Sequence, residues 1–193
     1  RLETETALRE AIAQEHEFIV HYQPQVNLES GRIDGLEALI RWQKEGQIVP
    51  PNDFIPLAEE TGLIVPLGDL VMKTVFRDIK LWLQNNQLNH RVAVNISAVQ
   101  FSQRDFIKKV DVLLNETGLD TQYLEFELTE ASVMQNVDYA LSAMTQLKQR
   151  GIHLALDDFG TGYSSLSYLK KFPIDILKID KSFVDDMGLA DVN

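Results

Sequence analysis

Two adjacent carboxylates mark the place in the sequence where the residue types point most directly to chemistry. Asp157 and Asp158 follow the apolar run 154–156, which predicts a buried strand, and Gly160 and Gly162 then predict a tight turn. Successive side chains of a strand point to opposite faces, so both carboxylates can face one ligand only where the strand ends and its backbone turns. The alternative is that one aspartate merely caps the following helix. Other polar residues have to decide between these interpretations.

Further polar residues stand in or at the end of other apolar runs that predict strands: Glu37, Asn95, Glu127 and Lys178. With the two aspartates they make a set of four carboxylates, one amide and one lysine, and the chain has no cysteine. Oxygen ligands without sulfur favour Mg²⁺ or Mn²⁺, and one of two adjacent aspartates can bridge two ions. The set therefore predicts two-metal hydrolysis of a phosphodiester, in which the ions polarise phosphoryl oxygens and activate the attacking water.

Some of the acidic residues also have plainer explanations. Glu37 and Arg41 are four positions apart and share a strand face, so an ordinary ion pair on a partly exposed strand is an alternative to a site. Glu125 and Glu127 likewise share one face of a predicted strand, and Glu125 is best explained as part of a solvated or ion-paired face. Glu130 lies in the loop that follows.

Strands and helices alternate along the chain, and the strands must position these residues. The patterns predict six strands, at 18–24, 35–42, 91–97, 123–130, from 154 onward, and at 174–180. They also predict one helix through 133–147 and another that starts at a capping box of Ser102 and Asp105. Such alternation predicts an α/β fold with a parallel sheet.

Two architectures fit that alternation, an open doubly wound sheet and a closed barrel. Polar residues at many strand ends favour a TIM-type barrel, because all those ends converge on one face. A doubly wound sheet concentrates its ligand contacts at one switch point instead. No Gly-rich dinucleotide fingerprint or P-loop follows any predicted strand, which also counts against the open sheet.

Composition restricts the class of protein further. With 193 residues and 45% apolar content, the chain is long enough for one domain with a sizeable core. Its net charge of −11 excludes a broad surface for duplex nucleic acid or anionic lipid. The lack of cysteine, and of any apolar run near the roughly 20 residues that span a bilayer, favours a cytoplasmic domain. We expect residues 1–17 to form a leading helix or the end of an upstream connector, and residues 18–193 to form the barrel domain.

Six motifs occur in order along the chain: Tyr22-Gln23-Pro24, Glu37-Ala38-Leu39 followed by Arg41-Trp42, Val94-Asn95-Ile96-Ser97, Glu127-Leu128-Thr129-Glu130, the run from Asp157-Asp158-Phe159-Gly160 to Ser165, and Leu177-Lys178-Ile179-Asp180. Together they resemble the EAL-domain family of cyclic di-GMP phosphodiesterases, over nearly the whole chain. The resemblance implies a modified TIM barrel whose first strand runs antiparallel to the others. It also implies hydrolysis of cyclic di-GMP to linear pGpG with two Mg²⁺ or Mn²⁺ ions. Ca²⁺ is expected to bind without supporting turnover, because it prefers longer bonds and more ligands.

The resemblance further implies a role for each polar residue at the strand ends. The first metal would be held by Glu37, Asn95, Glu127 and Asp157, and Asp157 and Asp158 would share the second. Lys178 would hydrogen-bond the water between the metals and help its deprotonation.

Substrate and partners are implied in the same way. Gln23 would contact a guanine base, while Leu39 and Arg41 would contact the ring of phosphates and sugars. Glu130 would anchor the loop 158–165, which in this family couples the metal site to a dimer interface. The expected partners are therefore cyclic di-GMP, a second copy of the chain, and an upstream sensory or GGDEF-type domain through which the natural protein could be membrane-anchored.

The chain departs from the family pattern at its end. The family continues for two more strand–helix units, which carry a further glutamate and a substrate-contacting glutamine, whereas this chain ends at Asn193. We therefore expect a barrel that lacks its last two strand–helix units and has a weak or absent second metal site. Either the natural protein continues, or another copy covers the open edges. A catalytically inactive cyclic di-GMP receptor and a dimerising signalling module of the same fold are the alternatives to an enzyme.

Overall fold

The computed structural model describes residues 2–160, 169–183 and 185. Its helices are α1 (Leu2–Gln14), α2 (Pro51–Thr61), α3 (Ile64–Gln84), α4 (Ala98–Phe101), α5 (Phe106–Thr117), α6 (Glu130–Met134) and α7 (Val137–Gln149), with a 3₁₀ turn at Thr121–Tyr123. Its strands are β1 (Phe18–Val26), β2 (Ile33–Lys44), β3 (Gln47–Val49), β4 (Arg91–Ile96), β5 (Leu124–Thr129), β6 (His153–Phe159) and β7 (Ile176–Ile179).

The strands form one sheet in the order β1-β2-β4-β5-β6-β7, with the short β3 paired to the far end of β2. β1 pairs with β2 in the antiparallel sense, whereas β2, β4, β5, β6 and β7 run parallel to one another. The expected antiparallel first strand is thus confirmed. Within the described residues no strand joins β7 to β1, so the wall of the barrel is open at these two edges.

The outer face of the sheet carries the main hydrophobic core. Val94 of β4 and Phe126 of β5 are at most 1% exposed, and Phe76 of α3 stacks on Phe126 with ring centroids 6.3 Å apart. Burial of each such side chain stabilises the fold by about 1.5–3 kcal/mol. Because these alternate positions face the helices, the positions between them, including Asn95 and Glu127, face the interior of the barrel.

A second core joins the N-terminal helix to the barrel wall. Leu8 of α1, Trp42 of β2 and Phe54 of α2 are at most 1% exposed. The Trp42 ring meets Phe54 edge to face, and its Nε1 donates to Glu17 Oε2 at 2.8 Å. α1 therefore packs on the domain, while the division at residue 17 stays a prediction. Of the helices in the described ranges, none has the length and apolar character needed to cross a membrane.

The start of α5 differs from the prediction. Ser102 is the last residue of the turn that ends α4, and its Oγ donates to the Val99 carbonyl at 2.9 Å. Asp105 stands at the N-cap of α5, but its side chain makes no capping hydrogen bond. The predicted capping box is wrong because a separate short helix, capped by Ser97 at the Gln100 N–H, already uses this segment.

The helix predicted over 133–147 is two helices. α6 directly follows β5, with Thr129 Oγ1 accepting from the Ser132 N–H at 3.2 Å. α7 begins after Asn136, whose Oδ1 accepts from the Tyr139 N–H at 3.1 Å. This second cap starts a new helix, and the break leaves α6 as a short segment that carries Glu130 at the end of β5.

Candidate active site

The register of the sheet brings the predicted site residues to one face. Asn95 of β4 is the register partner of Glu127 of β5, and Asp157 of β6 pairs with Thr129, two residues further along β5. Glu37 of β2 pairs with Ala93, two residues before Asn95. Partners in a sheet share a face, and so do residues two apart on one strand. All four polar side chains therefore face the interior, towards the carboxyl ends of the parallel strands.

The ammonium of Lys178 lies among three of these carboxylates. Lys178 Nζ is 2.5 Å from Glu127 Oε2, 3.4 Å from Asp157 Oδ2 and 3.5 Å from Glu37 Oε2. Asn95 Nδ2 donates to Glu37 Oε1 at 2.9 Å. Side chains from five strands of the sheet thus converge, as the sequence predicts, and the arrangement places one cation among several acids.

Burial shapes the electrostatics of this cluster. The Glu127 side chain is 0% exposed, and burial raises the pKa of Glu127 to about 7, while the Lys178 ammonium opposes the rise and the Glu37 and Asp157 carboxylates add to it. Burial by itself lowers the pKa of Lys178, but its hydrogen bond to Glu127 and the three carboxylates raise it overall. The cluster therefore favours a charged Lys178 and has more negative charge than that single cation balances.

Asp158, the second aspartate of the pair, has an unusual backbone conformation. Its φ is +55°, and the pairing of β6 with β7 shifts between Leu156 and Phe159. The Asp158 N–H donates to Asp157 Oδ1 at 2.8 Å. Burial raises the pKa of Asp158 overall, and the Asp157 and Asp180 carboxylates add to the rise. The Lys178 ammonium opposes it. The strand alternation is broken at this residue, and both aspartates belong to one electrostatic cluster, as the sequence predicts for a turning strand end.

The proposed loop anchor makes a contact at the start of the loop. Glu130 is 3% exposed, and its Oε2 accepts from the Gly160 N–H at 2.8 Å. The Phe183 ring packs on the other side of Gly160, where an added Cβ would lie 2.7 Å from Phe183 Cζ. The rest of the predicted loop, 161–165, lies outside the described residues. Its coupling to a dimer interface stays a prediction.

The three predicted substrate residues lie beside the carboxylates. Gln23 of β1 is the register partner of Glu37, so it faces the same interior surface. Leu39 and Arg41 follow Glu37 on the same face of β2. Leu39 and Arg41 line a cavity of about 280 Å³ that also reaches Asn95 and Glu127. One N–H group of the Arg41 guanidinium donates a hydrogen bond to the Ile40 carbonyl oxygen at 2.8 Å.

Two buried polar residues near the site were not predicted as part of it. Gln100 lines the same cavity and is 2% exposed, and its Nε2 has no hydrogen-bond partner among the described residues. Its only sequence signal is one amide within the apolar stretch 98–101. Glu125 is 3% exposed and pairs with Arg91 at 3.2 Å. Its ion pair is confirmed, but it does not lie on a solvated face.

The chemistry of the donor set fits a hard divalent cation. All candidate ligands are oxygens, and Glu127 Oε1 is buried without a hydrogen-bond partner in the described part of the chain, an arrangement that costs free energy unless a cation or donor compensates. As they stand, the described residues contain no group of three or more His, Cys, Asp or Glu side chains arranged to hold a metal. The carboxylates instead converge on the Lys178 ammonium.

Comparison with known proteins gives consistent matches. The family model of the EAL domain matches residues 5–191. The cyclic di-GMP phosphodiesterase PdeR of Escherichia coli is 44% identical over 95% of this chain and 27% of its own length. The signaling protein YkoW of Bacillus subtilis is 44% identical over 97% of this chain and 23% of its own length.

A solved structure matches the fold closely. The PaMucR phosphodiesterase, in its complex with c-di-GMP, is 38% identical and superimposes with a TM-score of 0.91, covering 96% of this chain and 75% of that one. This chain spans about a quarter of the length of the curated relatives that it matches.

Proposed function

This chain belongs to the EAL domain family, and from that premise we propose that it hydrolyses cyclic di-GMP to linear pGpG with the help of two divalent metal ions. The observation that carries the proposal is the convergence of Glu37, Glu127 and Asp157 on Lys178 Nζ at the carboxyl ends of the strands. The printed names of PdeR and PaMucR, both phosphodiesterases, support the reaction class.

The residues that would hold the metals are those predicted from the sequence. Glu37, Asn95, Glu127 and Asp157 would hold the first ion, and Asp157 and Asp158 the second. When bound, Mg²⁺ or Mn²⁺ supplies Lewis-acid polarisation of the phosphoryl oxygens and lowers the pKa of a bound water.

The chain's own groups then bind and orient the reactants. Lys178 Nζ, already placed among the carboxylates, would donate a hydrogen bond to the attacking water and hold it in line with the phosphorus. Arg41 would use its remaining N–H donors to bind phosphate oxygens. Gln23, which pairs with Glu37 on the neighbouring strand, would hydrogen-bond a guanine edge through its amide.

A direct assay tests the proposal. The natural protein that contains this chain is incubated with cyclic di-GMP and Mg²⁺, and linear pGpG is measured by chromatography. We expect pGpG with Mg²⁺ or Mn²⁺, and binding with little hydrolysis with Ca²⁺, whose longer bonds suit the in-line geometry poorly. Binding without hydrolysis under all three ions would indicate a receptor, and absence of binding would overturn the substrate.

The assembly is also a proposal. The relatives are about four times as long as this chain, and MucR of Pseudomonas aeruginosa is described as a bifunctional diguanylate cyclase and cyclic di-GMP phosphodiesterase. We propose that this domain acts as a cytoplasmic homodimer in a longer protein with an upstream sensory or GGDEF-type domain. Light scattering of that protein, with and without cyclic di-GMP, measures the dimer.

A further inference from the structure

In the described part of the chain, the strand that carries Gln23 pairs with a neighbouring strand on one side only. β1 is an edge of the sheet, paired with β2 and with no other strand in the described part of the chain. Its outward side chains pack on the helices as far as Tyr22, after which Pro24 is exposed and Val26 is 54% exposed. Tyr22 is therefore the last point at which the outer face of β1 is held before the strand leaves the helical layer.

Tyr22 is held by two residues of α3. Its hydroxyl donates to Asp78 Oδ2 at 2.6 Å, and its ring meets Trp82 edge to face with centroids 4.6 Å apart. Asp78 and Trp82 are four residues apart and so lie on one face of α3. Burial and the neighbouring Asp78 carboxylate raise the pKa of Tyr22, so the hydroxyl stays a donor. The contact joins an aromatic packing site to a charge-assisted hydrogen bond.

Gln23 is fixed from its other side by Pro24. A residue that precedes proline is restricted to extended conformations, and proline itself has a fixed φ and lacks an N–H, which an edge strand tolerates. The register pairs Gln23 with Glu37, so the Gln23 side chain leaves the backbone on the same face as the carboxylates. Its direction thus depends on the anchored residue before it and the rigid residue after it.

We propose that Tyr22 and Asp78 are positioning residues for substrate recognition, which hold β1 against α3 so that Gln23 meets a guanine base of the substrate. This inference rests on the proposed function. It differs from a purely structural role because the hydrogen bond acts through one named side chain: once Gln23 is removed, loss of the Tyr22–Asp78 contact has no further effect on substrate affinity.

The test uses Tyr22→Phe, which keeps the ring and its Trp82 contact and removes only the hydroxyl. In the natural protein, Kd for cyclic di-GMP is measured by calorimetry in Ca²⁺, and KM and kcat are measured in Mg²⁺. We expect Kd and KM to rise about fivefold, in keeping with the loss of one hydrogen bond, and kcat to stay within about twofold. Asp78→Ala should have the same effect, and Asp78→Asn, which keeps an acceptor oxygen, should largely restore affinity.

Two comparisons separate positioning from general stability. In a Gln23→Ala background, Tyr22→Phe should change Kd by less than about twofold. Tyr139→Phe is the matched control, because the Tyr139 hydroxyl also donates across elements, to the Phe101 carbonyl at 2.8 Å, but far from β1 in the sequence and on another helix. It should lower Tm without changing Kd.

Three results would overturn the inference while leaving the proposed function standing: an unchanged Kd in both Tyr22→Phe and Asp78→Ala, an equal loss in the Gln23→Ala background, or an effect on kcat alone. If the wild-type protein binds no cyclic di-GMP, both proposals fall.

Discussion

At the scale of single residues, the charge of Lys178 organises the site. Its Nζ lies within 3.5 Å of oxygens from Glu37, Glu127 and Asp157, residues that are distant in sequence. Carboxylates gathered in this way repel one another unless a cation lies among them. In the described residues the Lys178 ammonium supplies that compensation, and in the proposed mechanism divalent ions would supply it more strongly.

Removal of a single acidic ligand should abolish most turnover. Glu37→Ala and Asp158→Asn each delete one charged oxygen from the proposed hard-cation site, whose predicted ligand set has no sulfur or imidazole ligand. Hydrolysis of cyclic di-GMP at saturating Mg²⁺ measures the effect. Asp34→Asn is the control, because Asp34 is exposed at the start of the strand that carries Glu37 and is not one of the proposed ligands. Turnover by Glu37→Ala equal to that of the control would refute the metal assignment.

Lys178→Ala should separate binding from chemistry. We expect kcat to fall about a hundredfold or more, because a group that activates and orients the water acts in the transition state. Substrate Kd should change by no more than about threefold. Single-turnover kinetics and calorimetry give the two quantities separately. A large loss of affinity with a normal kcat would identify Lys178 as a phosphate-binding residue instead.

At the scale of elements, the turn after β6 is held between Glu130 and Phe183. Gly160 has a φ of +97°, and a Cβ there would meet Phe183 Cζ at 2.7 Å. Gly31 has a φ of +67° with no atom within 4 Å of its added Cβ. The two glycines therefore share a backbone requirement but differ in their surroundings.

Gly160→Ala should cost more stability than Gly31→Ala. The left-handed backbone costs an alanine about 1 kcal/mol at either position, and only Gly160→Ala must also displace the Phe183 ring. Thermal unfolding compares the two variants. Gly160→Ala should also lower turnover, because Gly160 lies only two residues after Asp158. Equal Tm losses in the two variants would show that displacement of the Phe183 ring does not lower the stability of the fold.

The attachment of α7 to the sheet should make stability sensitive to acid. Asp175 Oδ2 accepts from Lys148 Nζ at 2.7 Å and from the Leu154 N–H at 2.8 Å. Burial alone would raise the pKa of Asp175, but these donors lower it overall from the usual 3.8. A lowered folded-state pKa means that the stabilisation is complete above the unfolded pKa and is lost as the pH falls through the folded one.

We therefore expect the wild-type protein to lose free energy of unfolding as the pH falls below about 3.8, and Asp175→Asn to be less stable at neutral pH with a flatter acid profile. Urea unfolding at a series of pH values measures both. Parallel acid profiles for the two proteins would show that Asp175 is not a source of the pH dependence.

At the scale of the whole molecule, the described sheet has open edges at β1 and β7. Ile179 at the end of β7 is 64% exposed, and Phe183, four residues further on, is 45% exposed. An unpaired strand with apolar neighbours tends to pair with another chain. The described edges therefore leave apolar surface on which another chain could pair.

The 193-residue chain alone should associate with itself and turn over substrate poorly compared with the natural protein. Light scattering gives its mass as a function of concentration, and Ile179→Lys should reduce association because a charged edge resists pairing. A monodisperse monomer with turnover equal to that of the natural protein would contradict this prediction.

The residue types at strand ends could be predicted from the sequence because they depend on local patterns. Apolar alternation predicts which runs are strands, and an acidic residue such as Glu127 or Asp157 at the end of such a run is visible without coordinates. The antiparallel direction of β1 was predicted from the resemblance to a family. The residue pattern of a strand does not show in which direction it pairs with its neighbour. The capping box at Ser102 failed because two local hydrogen-bond patterns competed for the same segment.

Only the tertiary structure decided how these residues meet. Lys178 and Glu127 are 51 positions apart, and Tyr22 and Asp78 are 56 apart, so their contacts depend on sheet register and helix packing rather than on local preference. The burial that raises the pKa of Glu127 is likewise a property of the packed tertiary structure and not of the residue. Sequence by itself determined which chemical groups are present and which strand ends carry them. Distances and burial come from long-range packing, which no local pattern encodes.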